Sequence, residues 1–161
     1  MEPSLLIVDA QSVKNTDSAR FKGYDAGKKV SGIKRHIGVD VFGLPFAWAV
    51  TTANVTDRQG ALLALQVCKA NLSEVKTVLC DGGYTGENFA SEVRKIIQAE
   101  VEISKRSDKP SFVVQPKRWI VERSFGWLER SRRLWKNCER KIRTSHQMMS
   151  LAFLILLLRR L

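Results

Sequence analysis

Three acidic residues occupy positions where a carboxylate is costly unless it has a task. Asp9 closes the apolar run Leu5-Leu6-Ile7-Val8, Asp81 closes a second such run from Val75 to Cys80, and Glu122 stands among basic and aromatic residues. Carboxylates at the ends of neighbouring strands in an open α/β sheet converge where such sheets bind ligands. Held close together, they raise each other's pKa unless a cation lies between them. Oxygen ligands alone favour a hard cation, magnesium with manganese as its substitute, over zinc. Two such ions about 3.5–4 Å apart activate a water or sugar hydroxyl and stabilise the leaving oxygen of an in-line attack at phosphorus. Each acid also has an ordinary explanation: a strand-end Asp caps turns, and Glu122 can pair with Arg118 or Arg123 on its own helix.

The elements that must position these acids alternate between two periods. Leu5–Val8 and Val75–Cys80 are short apolar runs of buried-strand type. His36–Asp40 and Leu44–Thr52 flank Phe42-Gly43, as the arms of a hairpin would. Helices are expected from Arg58 to Asn71, with Asp57 as the cap, and from Glu87 to Ala99, followed by a strand from Val101 to Ser104. The polar stretches 12–30 and 107–116 have neither period and are expected to be loops. From Lys117 a helix sets Trp119, Ile120, Phe125, Trp127, Leu128 and Leu134 against Arg123, Arg130, Arg132 and Arg133, and a nearly apolar helix runs from Ser145 to Leu161. Alternating strands and helices define an α/β fold with a basic, helical C-terminal part.

Charge tells where a partner would bind. The 161-residue chain carries a formal charge of +11, and all of it lies beyond Ser104, because acids and bases balance before that point. That segment also holds three of the four tryptophans. A concentration of uncompensated base points to a polyanion, nucleic acid above all, although charge runs also serve as solvated helix faces. The length suits a single domain, residues 1–161, able to build its core without staples. Cys68, Cys80 and Cys138 lack metal-ligand or disulfide spacing, and the start has no secretory pattern, so a reducing, cytoplasmic setting is expected. The apolar run at 148–158 is short for a membrane span, which needs about 20 residues.

Five stretches in register carry a family resemblance: Asp9-Ala10-Gln11-Ser12-Val13-Lys14, Lys34-Arg35-His36-Ile37-Gly38-Val39-Asp40, Ala53-Asn54-Val55-Thr56-Asp57-Arg58, Asp81-Gly82-Gly83-Tyr84-Thr85-Gly86, and residues 118–128 around Glu122. The chain resembles the catalytic part of DDE transposases of bacterial insertion sequences, in the insertion-sequence-five group of the IS4-like superfamily. That resemblance implies a ribonuclease H-like mixed sheet flanked by helices, and Asp9, Asp81 and Glu122 as a catalytic and metal-binding triad. It implies magnesium-dependent cleavage and strand transfer of DNA, transposon ends and target included, by a homo-oligomer and without a membrane. Two departures stand out. Gln115 and Glu129 occupy the places of a signature Tyr and Lys, while the spacing from Arg118 to Glu122 is kept. The amino-terminal DNA-binding region of such transposases has no counterpart ahead of Asp9, so a catalytic half is expected. A non-catalytic DNA-binding or assembly fragment and a ribonuclease H-like nuclease are the alternatives.

Among the bases, Lys34, Arg35, Arg118, Arg123, Arg130 and Arg133 are the expected DNA contacts, with Lys34 and Arg35 equally readable as solvated residues. His36 is expected to be structural rather than a metal ligand. Asp57 is read as a cap. Gly82 and Gly83 allow close backbone approach to a phosphate or simply a tight turn. Trp119 is read as core rather than as a stacking surface for an unpaired base.

Overall fold

The computed structural model describes residues 3–104 and 117–160. The loop expected at 107–116, with Gln115, lies outside the described residues. Six strands form one mixed sheet: β1 (Leu5–Lys14), β2 (Gly23–Asp25), β3 (Val30–Val39), β4 (Pro45–Thr52), β5 (Thr77–Cys80) and β6 (Glu100–Ile103). The order is β2-β3-β1-β5-β6, with β4 also on β3. β1, β3 and β4 pair antiparallel, whereas β1, β5 and β6 run parallel. Among the described residues, four helices cover the faces: α1 (Asp57–Val67), α2 (Glu87–Ile97), α3 (Arg118–Glu129) and α4 (Ile142–Leu158). Among the described residues, no helix is long and apolar enough to cross a membrane.

Strand alternation divides the core in two. Leu6, Val8, Val78 and Cys80 pack beneath α1 and α2 with Ala61, Leu65, Phe89 and Val93. Ile7, Ile37 and Leu79 pack on the opposite face with Ile120, Val121 and Phe125 of α3 and Met149 and Phe153 of α4. By the same period, Asp9, two residues after Ile7, and Asp81, two after Leu79, share the face that receives α3.

Several elements differ from the sequence expectation. β1 does not end at Asp9 but continues to Lys14, because its polar second half pairs with β3 from Ile7↔Val39 to Lys14↔Gly32. β3 is correspondingly longer than the expected hairpin arm, and the stretch 12–30, expected to be loop throughout, contains β2. The cap of α1 is Thr56, whose hydroxyl accepts the Gln59 amide in a capping box; Asp57 is the first helical residue. Gly60 on α1 lies so close to β3 that a Cβ there would fall on the His36 ring. Gly43 turns the β3–β4 hairpin at φ +81°.

Candidate active site

Asp9 and Asp81 meet through sheet register. Ile7 pairs with Leu79 between parallel strands, so the next same-face residues, Asp9 and Asp81, stand beside each other past the end of β5. The Ala10 amide donates to Asp9 Oδ1 at 2.7 Å, and the Gly83 amide donates to Asp81 Oδ1 at 2.9 Å. Gly82–Tyr84 form one tight helical turn after Asp81, and Arg58 Nε from α1 fastens it by donating to Gly83 O at 2.9 Å. Tyr84 is buried behind this turn against Phe89, with ring centroids 5.4 Å apart.

α3 brings the third acid and its counter-ion. Arg118 reaches Asp81 Oδ2 from Nη2 at 3.3 Å and Glu122 Oε1 from Nε at 3.7 Å. The guanidinium thus stands between a sheet carboxylate and a helix carboxylate. Asp9, Asp81, Ser104, Arg118 and Val121 line one crevice. Burial pushes the Asp9 carboxyl up to about 6; the Ala10 amide opposes this, Asp81 adds repulsion, and Arg118 and Lys28 relieve it.

The structure therefore joins Asp9 to Asp81 and ties Glu122 to them through Arg118. It does not close the three carboxylates on one point: among the described residues, no three His, Cys, Asp or Glu are arranged to hold a metal ion. The donor chemistry nevertheless fits a hard cation. The two sheet acids present only oxygen, and the repulsion of Asp81 on the buried Asp9 carboxyl is what a cation between them would relieve.

The expected DNA contacts separate into two groups. Lys34 and Arg35 are corrected, because both are sealed in the protein at 5% and 2% exposure. Lys34 pairs with Asp57 at 2.8 Å and Asp25 at 3.1 Å, and Arg35 Nη2 donates to Leu134 O at 2.7 Å. Neither side chain can reach a phosphate. Asp57 accordingly serves Lys34 rather than a helix cap. Arg123 Nη2 donates to Phe42 O at 2.8 Å, with its guanidinium 4.6 Å from the Trp119 ring and 4.8 Å from that of Trp127. Trp119 is 47% exposed and so is not core. Arg130 is exposed, and Arg133 pairs with Glu139 at 2.6 Å. Arg130, Arg132, Arg133 and Arg159 rim a groove of 480 Å³ between the end of α3 and α4.

His36 is fully buried, within hydrogen-bonding distance of Thr51 Oγ1 at 2.9 Å, and its Nδ1 has no partner. Burial pushes its pKa down to about 4. Sequence reasoning overlooked Lys28. Its Nζ donates to Ala10 O at 2.9 Å and lies 3.7 Å from Asp57, which places a cation one residue from Asp9. A loop without period gave no sign of it; only the pairing of β2 and β3 brings Lys28 back over β1.

Comparison with known proteins follows the same lines. A protein of Burkholderia cepacia assigned as the transposase for insertion sequence element IS402 is 32% identical over 117 residues, 68% of this chain and 55% of that protein. The chain thus spans about half the length of this relative. A chain of a simian T-cell lymphotropic virus intasome, in complex with PP2A regulatory subunit B56 gamma, superposes with a TM-score of 0.59 at 16% identity, over 94% of this chain and 48% of that one. The HTLV-2 integrase catalytic core domain in complex with magnesium gives 0.55 at 16% identity, over 95% and 86%. At such identity these two structures speak for the fold, which is the ribonuclease H-like one of integrase cores. The transposase DDE domain family matches residues 1–158, and the chain belongs to that family.

Proposed function

We propose that this chain is the catalytic domain of an insertion-sequence transposase, a metal-dependent enzyme that cleaves DNA and transfers the cut strand. The carrying observation is the register that sets Asp9 beside Asp81, with Arg118 linking them to Glu122 on the facing helix. Asp9, Asp81 and Glu122 are the catalytic acids and would hold magnesium, or manganese in its place. Such ions, when bound, activate the attacking oxygen and stabilise the leaving one. Arg118 lies where a phosphate would approach these acids, while Arg130 and Arg133, with Arg132, offer an exposed basic surface to the duplex. Arg123 contributes mainly by holding the Phe42 turn and the two indoles.

Membership of the transposase DDE domain family supports this reading, as does the likeness to an integrase core bound to magnesium. The similar HTLV-2 core is described in a dimeric form, and the exposed Leu151, Leu154, Ile155 and Leu158 on α4 favour self-association of this chain too. A cytoplasmic, nucleoid-bound site of action follows from DNA as substrate. One observation favours the rival, a non-catalytic binding or assembly fragment: Glu122 pairs with Arg118, and among the described residues no three acids are grouped to hold a metal.

Manganese decides between them. Thermal unfolding of wild type should rise by about 5–10 °C at a hundredfold excess over Kd. Asp9→Ala, Asp81→Ala and Glu122→Ala should each lose that gain. An unchanged melting temperature in wild type, with and without duplex DNA, sinks the enzyme reading. As a second arm, Asp81→Asn should abolish cleavage yet keep salt-sensitive DNA binding; equal loss of both would refute the separation of roles.

A further inference from the structure

A second pocket, of 500 Å³, opens beyond the far end of β1, its lining including Lys14, Lys22, Lys29, Tyr24 and Asp17. Lys14 is five residues along β1 from Asp9, which places the pocket about 17 Å from the acids. Its volume falls within the roughly 300–1,000 Å³ of small-ligand sites. Its chemistry is basic and aromatic. Three exposed lysines face a single acid, and none of the three makes an ion pair among the described residues. Tyr24, on β2, is 57% exposed.

The walls are built rather than left to a wandering loop. Asn15 Nδ2 donates to Phe21 O at 2.9 Å, and the Asn15 amide to Ser31 O at 3.2 Å. The Thr16 amide donates to Asn137 O at 2.9 Å, while Asn137 Nδ2 donates to Asn15 Oδ1 at 2.8 Å. Ser18 Oγ donates to Cys138 O at 3.1 Å. The pocket is thereby pinned to the basic C-terminal part. Lys29 is held at a positive φ of 54°, a conformation uncommon for a side chain of this size.

Lysines that lack internal partners attract phosphate, and an exposed ring at the mouth of a concavity offers a face to a base. Bases inside a duplex have their faces covered, so only an unpaired one can use the ring. We propose that this pocket binds one nucleotide of an unpaired DNA strand, with Tyr24 stacking on the base and Lys14, Lys22 and Lys29 holding the flanking phosphates. The proposal rests on the reading of DNA as substrate, but it requires neither the acids nor a metal.

The test uses the full chain in EDTA and the fluorescence anisotropy of a labelled short oligothymidylate, with a blunt duplex and free thymidine monophosphate as competitors. Tyr24→Ala should weaken oligothymidylate binding by about 5- to 150-fold while leaving duplex binding unchanged, and Tyr24→Phe should restore it. Combined Lys14→Gln, Lys22→Gln and Lys29→Gln should reduce the slope of log K against log salt by about 2. All these side chains are exposed, so melting temperatures should stay at the wild-type value. Equal binding of the oligonucleotide by wild type and Tyr24→Ala, or none by wild type, overturns the proposal. Competition by the free mononucleotide as strong as that by the oligonucleotide overturns the assignment to a strand. Asp81→Asn should bind oligothymidylate like wild type, so failure of the catalytic reading would show in cleavage and metal binding alone.

Discussion

Lys34-Arg35-His36 on β3 and Arg130-Ser131-Arg132-Arg133 after α3 are similar in charge, yet the first run is sealed and the second rims an open groove. β3 lies inside the sheet, between β1 on one side and β2 and β4 on the other, with helices on both faces. A charge there must find its partner within the protein. Lys34 finds Asp25 and Asp57, and Arg35 finds a carbonyl of the C-terminal part. Arg130 and Arg132 after α3 lie on segments with one side in solvent and are left for a partner, while Arg133 holds Glu139 at the surface. Under the proposed function, net charge would serve DNA only where the fold leaves it outside, while the buried run uses its charge to join segments.

The largest effect expected from this contrast is at Lys34. Lys34→Ala leaves Asp25, now held well below the usual carboxylate range, without its cation. Burial would raise that carboxyl, but Ser12, the Lys28 amide and Lys34 outweigh it. Removing one partner of a buried pair costs about 3–5 kcal/mol. Urea unfolding of Lys34→Ala at neutral pH should show a loss of that order, whereas Arg130→Ala should change stability by no more than about 0.5 kcal/mol. Equal losses would mean that the two runs do not differ in the way described.

His36 sharpens the contrast through pH. Its folded pKa of about 4 lies below the ordinary 6.5 because burial disfavours the imidazolium; Asp57 opposes this, and Lys34 and Lys28 reinforce it. The unfolded chain therefore binds a proton that the folded chain refuses between these two values. The resulting stability is whole above pH 6.5 and is lost as pH falls toward 4, by about 3 kcal/mol at most. Urea midpoints of wild type against His36→Gln across that window measure it. A difference that does not change with pH would refute the assignment of a neutral, sealed ring.

How much of this was legible depends on which force placed each residue. The two apolar runs marked β1 and β5, and period two then set Asp9 and Asp81 on one face, so the sheet half of the site could be read from local pattern. The extension of β1 to Lys14 could not, since Gln11, Ser12 and Lys14 are polar and become strand only by pairing with β3. The same long-range pairing buries Lys34 and Arg35, whose immediate neighbours give no hint of it. Trp119 failed for the converse reason: its helical spacing matched the apolar face, but the guanidinium of Arg123 covers it in place of core. The bridging of Asp81 and Glu122 by Arg118 also required the docking of α3 to be known.

The smallest expected effect discriminates most finely, because it reads charge rather than stability. A lysine or arginine on a DNA phosphate contributes about one unit to the slope of log K against log salt when it is neutralised. Arg130→Gln should therefore lower the slope for a duplex by about 1 and weaken binding evenly across sequences. Arg35→Gln removes the same formal charge, but its guanidinium is 2% exposed and donates to Leu134 O, so the slope should stay at the wild-type value even where unfolding shifts. Fluorescence anisotropy at several salt concentrations, below the melting temperature of both variants, supplies the two slopes. If Arg35→Gln lowers the slope as much as Arg130→Gln does, the buried run reaches DNA after all. The chain would then have to open between β3 and its C-terminal part when it binds.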